Sequence, residues 1–128
     1  MKGYTVALIS VLTGLLVSAC ASTQPITEPV AVIEAFYEAL NEGDLDTAMS
    51  FVADDATFIR SAAYRGKADI RDFYQESLDL GFQAELSDLR ADGDKASWME
   101  KLTIGGGRFE VQLEAIVRDG LIVTLTIT

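Results

Sequence analysis

The sequence predicts an α+β fold in which a cone-shaped, curved antiparallel sheet packs on three helices that come from the N-terminal half. In the first half the apolar residues recur with the spacing of helices, whereas in the second half apolar and polar residues alternate. Strands joined by short turns are antiparallel, and helices segregated from such a sheet cover one of its faces. A bent sheet wrapped over a long helix would enclose an internal pocket.

Three helices are predicted in the first half. Apolar residues at i, i+3, i+4 and i+7 indicate an amphipathic helix that ends near Gly43, a residue suited to a left-handed cap. Asp44 is placed to cap a second, shorter helix. The predicted order is a helix over residues 30–40, a helix from 45 to about 52, a strand over 56–60, a loop over 61–65 and a helix over 67–80.

The second half is predicted to form four strands. The apolar alternation changes parity inside the first of them, which indicates a bulge near Ser87 and Asp88. Asp119 and Gly120 form a strong signal for a two-residue hairpin turn. The predicted strands cover residues 82–91, 95–104, 108–118 and 121–127.

Residues 1–19 have the features of a secretion signal. The apolar run over residues 6–17 is shorter than the roughly 20 residues of a membrane-spanning helix and fits a signal peptide. Val17, Ser18, Ala19 and Cys20 resemble the bacterial lipobox, which implies cleavage before Cys20 and lipid attachment to it. The alternative is ordinary cleavage after Ala19, which would leave a free thiol.

A lipid on Cys20 would anchor the protein to the membrane through a polar tether, residues 20–29, that precedes a domain over residues 30–128. Ala21 stands where an aspartate commonly retains lipoproteins in the inner membrane. The expected location is therefore the bacterial cell envelope, on the outer membrane and facing the periplasm.

Composition excludes several functional classes. The chain of 128 residues contains no histidine and one cysteine, so His-based triads, His-ligated zinc and intrachain disulfides are excluded. Its net charge of −10 argues against a nucleic-acid partner, because phosphate binding needs clustered Lys and Arg. No motif indicates a metal or an organic cofactor.

Four segments resemble the nuclear transport factor 2-like superfamily, which includes SnoaL-like polyketide cyclases and ketosteroid isomerases. They are residues 39–46 (ALNEGDLD), 53–58 (ADDATF), 66–74 (GKADIRDFY) and 119–122 (DGLI). The resemblance implies the cone fold with its internal pocket over residues 30–128. It also implies a homodimer through the outer face of the sheet, because this family commonly dimerises there. It says little about activity, since this fold hosts many unrelated functions.

The ketosteroid isomerase pattern is incomplete in this chain. That enzyme uses an Asp base and an oxyanion hole made of a Tyr and a protonated Asp. The resemblance puts Arg60 at the base position, and an arginine cannot abstract a proton. It puts Phe36 at the tyrosine position and the second acid within residues 113–117, where only Glu114 ionises. Tyr74 alone matches a pocket tyrosine, so isomerisation by that mechanism is not expected.

Glu100 is the candidate catalytic residue. It shares strand parity with Ala96, Trp98, Leu102 and Ile104, so an inward face would bury it in the pocket, where a carboxyl suits general acid–base work. The alternatives are that Glu100 pairs with an Arg or Lys, or lies at a sheet edge in water.

Other candidates have equally plain structural alternatives. Arg60 could bind an anionic ligand or pair with an acidic neighbour. The pocket tyrosines could offer hydroxyls to a ligand or simply fill the core. Asp54 and Asp55 are expected to cap a turn, and Glu114 to lie on a solvated strand face opposite the apolar Phe109, Val111, Leu113, Ala115 and Val117. The predicted ligand-pocket residues are Phe36, Tyr37, Arg60, Tyr64, Tyr74 and Trp98.

Three functions remain compatible with the sequence. The first is an envelope lipoprotein that binds a small apolar or amphipathic ligand, or acts as an accessory protein, without catalysis. The second is a SnoaL-like enzyme, of the isomerase, cyclase or hydratase type, that uses Glu100 and pocket tyrosines. The third is a dimeric protein-interaction module. The incomplete catalytic pattern favours the first.

Overall fold

The computed structural model describes residues 26–128, so the predicted signal peptide and Cys20 lie outside the described residues. Three helices and six strands follow one another along this part of the chain. None of these helices has the length and apolar character needed to cross a membrane. The elements are α1 (Pro29–Asn41), α2 (Leu45–Met49), β1 (Val52–Ile59), β2 (Ala63–Arg65), α3 (Lys67–Asp79), β3 (Gln83–Asp92), β4 (Lys95–Ile104), β5 (Gly107–Arg118) and β6 (Leu121–Ile127).

The turn between α1 and α2 follows the predicted chemistry. Gly43 adopts a φ of 77°, which is the left-handed conformation that glycine enters without steric cost. The Asp44 carboxylate accepts a hydrogen bond from the backbone N–H of Thr47 at 3.1 Å and thereby caps α2. Hydrogen bonds from Thr47 lower the pKa of Asp44 from its ordinary value.

The sheet has the strand order β2-β1-β6-β5-β4-β3 and is mixed. All neighbours are antiparallel except β1 and β6, which are parallel. The prediction of a purely antiparallel sheet is therefore wrong at this pair. The chain between β1 and β6 is long enough to return β6 alongside β1 in the same direction, which a short turn cannot do.

The first strand and its partner differ from the prediction. β1 begins at Val52, so α2 is shorter than expected, and the exposed residues Asp54 and Asp55 lie inside the strand instead of before it. β2 lies in the predicted loop and pairs with the end of β1, for example Phe58 with Tyr64. Its three residues are too few to show an alternating pattern, which explains why the sequence did not reveal this edge strand.

The predicted irregularities of the other strands are present. The register of β3 and β4 shifts between Ser87 and Arg90, and Asp88 has a positive φ of 55°, as expected of a bulge. Asp119 and Gly120, with φ of 53° and 78°, form the β5–β6 turn. A side chain at Gly120 would come within 2.6 Å of the Ile26 carbonyl oxygen, so glycine is needed there.

The core lies between the helices and one face of the sheet. On β5, Leu113, Ala115 and Val117 are buried, as predicted. Phe109 was expected on the same buried face but is 53% exposed, because burial on β5 is confined to the second half of the strand. The Asn41 side chain joins α1 to the sheet: its amide donates to the Ala84 carbonyl at 2.7 Å and its oxygen accepts from the Ala84 N–H at 2.8 Å.

Candidate functional site

An ion pair lies in the interior of the domain. Arg60, directly after β1, donates from Nη2 to Oε2 of Glu100 on β4 at 3.1 Å, and the two side chains are only 5% and 0% exposed. Glu100 therefore faces inward, as its strand parity predicts, and it pairs with an arginine, which was one of the alternatives left open. Removing two charges from water is costly, so a buried pair calls for an explanation beyond stability.

Aromatic side chains surround this pair. Phe36 makes edge-to-face contacts with Tyr37 and Tyr74, with ring centroids 5.2 and 5.6 Å apart. Tyr37 in turn contacts Trp98 edge-on at 5.8 Å. The Arg60 guanidinium lies 5.8 Å from the centroid of the Phe73 ring, within the range of a cation–π contact. The environment of the pair thus consists largely of aromatic rings, three of which carry a polar atom.

Several polar atoms in this aromatic shell have no hydrogen-bond partner among the described residues. Leaving one buried polar group unpaired costs about 1–3 kcal/mol, and native proteins rarely tolerate many such groups. Their gathering in one place indicates a site whose partner is a bound molecule or ordered water. The five atoms are Tyr37 Oη, Arg60 Nη1, Tyr74 Oη, Trp98 Nε1 and Glu100 Oε1.

The electrostatics of this cluster keep the tyrosines protonated. Burial, helped by the negative charge of Glu100, raises the pKa of Tyr37 well above its ordinary value. Burial raises the pKa of Tyr74 as well, although the charge of Arg60 opposes it. Burial alone would lower the pKa of Arg60, but Tyr74, Tyr37 and Glu100 more than compensate and raise it. At neutral pH both tyrosines and the guanidinium are therefore hydrogen-bond donors.

The predicted pocket residues separate into three positions. Tyr37, Arg60, Tyr74 and Trp98 each carry an unpaired polar atom in the same buried shell as Glu100; we call these five residues the interior cluster. Phe36 is fully buried and contributes only its ring to the surrounding shell. Tyr64 does not join the cluster. It is only partly buried, and its ring packs at a tilt of 40° against Phe73, with the centroids 4.5 Å apart, one layer further out.

Phe73 and the partner of Glu100 were not identified from the sequence. The helical spacing of Ile70, Phe73 and Tyr74 is typical of one apolar face of α3, but no local signal assigns Phe73 to a guanidinium. Arg60 and Glu100 are separated by 40 residues. Strand parity points Glu100 inward, whereas only the three-dimensional arrangement of β1 against β4 shows which cation it meets.

Glu114 is remote from this chemistry. It lies on the outward face of β5, and its carboxylate is 3.6 Å from the Lys95 amino group, with the two side chains 41% and 49% exposed. The structure therefore agrees with the prediction of a solvated strand face. Within residues 26–128 no group of three or more metal-ligating side chains is found.

A separate groove of about 670 Å³ crosses β3, β4 and β5 near the Gly105–Gly106 turn. None of its lining residues belongs to the interior cluster. Its lining includes both cationic and carboxylate side chains, so the groove is neither predominantly positive nor predominantly negative. The lining residues are Gln83, Ala84, Glu85, Lys101, Leu102, Thr103, Arg108, Phe109 and Glu110.

Solved structures share this architecture. A Kribbella flavida protein classed provisionally as a ketosteroid isomerase is 28% identical, with a TM-score of 0.71 over 79% of this chain and 77% of that one. A Sinorhizobium meliloti protein classed provisionally as a polyketide cyclase is 22% identical, with a TM-score of 0.69 over 77% and 94%. A nuclear transport factor 2-like protein of unknown function from Cytophaga hutchinsonii is 13% identical, with a TM-score of 0.75 over 83% and 93%.

The match to a family model is more specific than these likenesses. The model of the SnoaL-like domain matches residues 33–125, which run from the middle of α1 through most of β6 and include the whole interior cluster. The architecture described above, a curved mixed sheet of six strands with three helices, is the nuclear transport factor 2-like, or cystatin-like, α+β fold. The chain belongs to the SnoaL-like domain family.

Proposed function

We propose that this protein is a binding or accessory protein of the bacterial cell envelope, whose SnoaL-like domain holds a small amphipathic molecule without transforming it. The observation that carries the proposal is the set of five unpaired buried polar atoms inside an aromatic shell. Small-molecule sites combine apolar walls with a few polar groups that fix orientation. The aromatic rings would contact the apolar body of the ligand, and the interior cluster would bind its polar end.

Binding without catalysis is favoured by the composition of the cluster. Arg60 stands where the resemblance to ketosteroid isomerase puts a base, and it holds one oxygen of Glu100 in an ion pair. Phe36 stands where the same resemblance puts a hydroxyl group and offers only a ring. The remaining donors can orient a ligand, whereas a base able to abstract a proton is reduced to one carboxylate whose charge Arg60 already neutralises.

Native mass spectrometry of the full-length protein, purified without a denaturing step, tests the proposal. The expected spectrum contains an additional mass on each subunit that is lost on denaturation. Glu100→Gln is expected to lose this mass, because it removes the ionic partner of Arg60. Glu110→Gln, which makes the same chemical change at an exposed position on β5, is the matched control and is expected to retain it.

A spectrum that shows only the bare polypeptide for the wild type would contradict the proposal. It would mean that ordered water satisfies the interior cluster. A mass that is retained equally by Glu100→Gln and Glu110→Gln would contradict it too, because the ligand would then be bound elsewhere.

A catalytic role is the second candidate, and one observation favours it. Glu100 Oε1 is buried and unpaired, and two protonated tyrosines lie beside it. A carboxylate in such a place can move a proton while a tyrosine polarises a carbonyl oxygen. Incubation of the retained ligand in D₂O distinguishes the two functions: Glu100-dependent deuterium incorporation at carbon would establish proton transfer, and its absence favours binding.

Attachment to the envelope is part of the proposal and is supported by the sequence around Cys20. Lipidation predicts that the protein partitions into the detergent phase of a Triton X-114 extract and that Cys20→Ser partitions into the aqueous phase. If Cys20→Ser is fully processed and still membrane-bound, the anchor is not a lipid on Cys20. Fractionation of inner and outer membranes tests the proposed outer-membrane location.

A homodimer through the outer face of the sheet is a further proposal. Ile59 points away from the helices and is 45% exposed, which leaves an apolar side chain on that face. Light scattering at micromolar concentrations should give twice the mass of the chain, and Ile59→Lys should give the monomer mass. A wild-type protein that is monomeric over this range would contradict the dimer.

A further inference from the structure

The contact between Arg60 and Glu100 is a one-point contact. Nη2 donates to Oε2, whereas Nη1 of the same guanidinium and Oε1 of the same carboxylate are buried and unpaired. A paired arginine and carboxylate commonly form two parallel hydrogen bonds that would engage both partners fully. Here the pair leaves one donor and one acceptor available, one on each side chain.

The charges of this pair select against an ionic ligand. Arg60 and Glu100 neutralise each other, and their side chains are 5% and 0% exposed. A buried anion would meet the Glu100 carboxylate and a buried cation would meet the Arg60 guanidinium, and either would add an uncompensated charge to an apolar interior. The molecule that suits the site is therefore electrically neutral.

The two unpaired atoms also select among neutral groups. The guanidinium Nη1 can only donate, and the carboxylate Oε1 can only accept. A ketone or ether oxygen accepts from Nη1 but leaves Oε1 unpaired. A hydroxyl group donates one hydrogen and accepts through two lone pairs, so its hydrogen-bonding capacity matches both atoms.

The remaining members of the interior cluster fit the same ligand. Trp98 Nε1 is a donor only, and the Tyr37 and Tyr74 hydroxyls stay protonated at neutral pH. The second lone pair of a bridging hydroxyl can accept from one of these three donors. Tyr37 lies close enough to Glu100 for the carboxylate to help raise the pKa of its hydroxyl, and Oε1 is among the atoms without a hydrogen-bond partner in the described residues.

We propose that the interior cluster recognises a neutral alcohol, whose hydroxyl oxygen accepts from Arg60 Nη1 and whose hydroxyl hydrogen is donated to Glu100 Oε1. The inference rests on the proposed ligand-binding function and names the chemical class of its ligand. The apolar part of the alcohol contacts the rings of Phe36, Tyr37, Tyr74 and Trp98.

Four compounds that share one ring and differ in one group provide the test: cyclohexanol, cyclohexanone, cyclohexanecarboxylate and cyclohexylammonium. Their affinities for the full-length protein are measured at pH 7 by ligand-observed NMR. Cyclohexanol is expected to bind about tenfold more tightly than cyclohexanone, because one buried hydrogen bond to a charged acceptor is formed only by the alcohol. The carboxylate and the ammonium compound are expected to bind more weakly than both.

Variants test whether the preference comes from Glu100. A glutamine side chain can donate to a ketone oxygen, so Glu100→Gln is expected to reduce the tenfold preference for the alcohol to about threefold or less. Glu110→Gln is the matched control and should preserve the wild-type order. The wild-type comparison among the four compounds needs no variant, so the inference stays testable if Glu100→Gln does not fold.

The outcomes separate this inference from the function on which it rests. A wild-type protein that binds the ketone or the carboxylate more tightly than the alcohol overturns the inference, while ligand binding itself stands. If none of the four compounds binds but native mass spectrometry shows a retained molecule, the chemical identity of that molecule tests the inference. A retained molecule without a neutral hydroxyl group overturns it. A bare polypeptide together with four inactive compounds overturns both.

Discussion

Two ion pairs that each include a residue of β4 show how environment changes the role of the same chemistry. Lys95 and Glu114 approach to 3.6 Å on the outer face of the sheet, where both side chains are about half exposed. Arg60 and Glu100 approach to 3.1 Å on the inner face, where both are buried. Water solvates both side chains of the outer pair even when they are apart, whereas each side chain of the inner pair is surrounded only by its partner and the aromatic shell. Each charge of the inner pair therefore depends on the other for its stabilisation, whereas the stability of the fold should depend little on the outer pair.

The largest expected effect is the loss of one member of the inner pair. Arg60→Met leaves the Glu100 carboxylate buried without a counter-charge, so the free energy of unfolding should fall by about 3–5 kcal/mol. Urea denaturation monitored by circular dichroism measures this change. A decrease below about 1 kcal/mol would mean that water reaches the pair.

The double variant Arg60→Met, Glu100→Leu is the control for this prediction. Replacing both charges with apolar groups removes the desolvation penalty together with the attraction, so its stability should lie near or above that of the wild type. Its retained-ligand mass should be absent. A double variant that is as unstable as Arg60→Met would show that the lost stability comes from packing and not from the unpaired charge.

A smaller effect is expected from the buried tyrosines at alkaline pH. The folded protein keeps the Tyr37 proton above pH 10, whereas the unfolded chain releases it there, so folding stability is complete below pH 10 and falls as the pH rises further. The slope contributed by one tyrosine is at most about 1.4 kcal/mol per pH unit. Urea midpoints between pH 8 and 11.5 should show this decline.

The variant Tyr37→Phe distinguishes the tyrosine from other groups that titrate at alkaline pH. It should make the decline less steep by the contribution of one tyrosine, because phenylalanine has no proton to release. An unchanged slope would indicate that Tyr37 ionises equally in the folded and the unfolded chain.

The smallest effect is expected from the outer pair. Lys95→Met should change the free energy of unfolding by less than about 1 kcal/mol, because each charge remains solvated when the other is removed. The same urea titration measures it. A loss as large as that of Arg60→Met would remove the contrast between the two faces of the sheet.

Most of the fold could be predicted because its signals are local. The spacing of Ile33, Phe36 and Leu40 determines the buried face of α1, and a parity change near Ser87 determines the bulge in β3. The parallel pairing of β1 with β6 could not be predicted in this way. It joins Phe58 to Leu125 across most of the domain, and no local pattern encodes such a contact.

In the candidate site, too, the features with local signals could be predicted and those that depend on the tertiary arrangement could not. Strand parity was sufficient to point Trp98 and Glu100 inward, and helical spacing placed Tyr37 and Tyr74 on the buried faces of their helices. The sequence could not decide between a ligand and an acidic side chain as the partner of Arg60, because that choice depends on how β1 and β4 are arranged in space. Tyr64 was included with the pocket residues because nothing local distinguishes an inner tyrosine from one that packs in an outer layer.

The position of β6 has a consequence for the order in which the domain can be assembled. β6 follows every other element along the chain, yet it lies between β1 and β5 and is the strand through which they are joined. During synthesis, the pair β1–β2 and the group β3–β5 therefore cannot join into one sheet until β6 is available. Until then β1 and β5 each have an unpaired edge, and such edges are prone to aggregation. Sheet closure depends on residues 121–127, so the ribosome must complete these before the polar interior can be sealed from water.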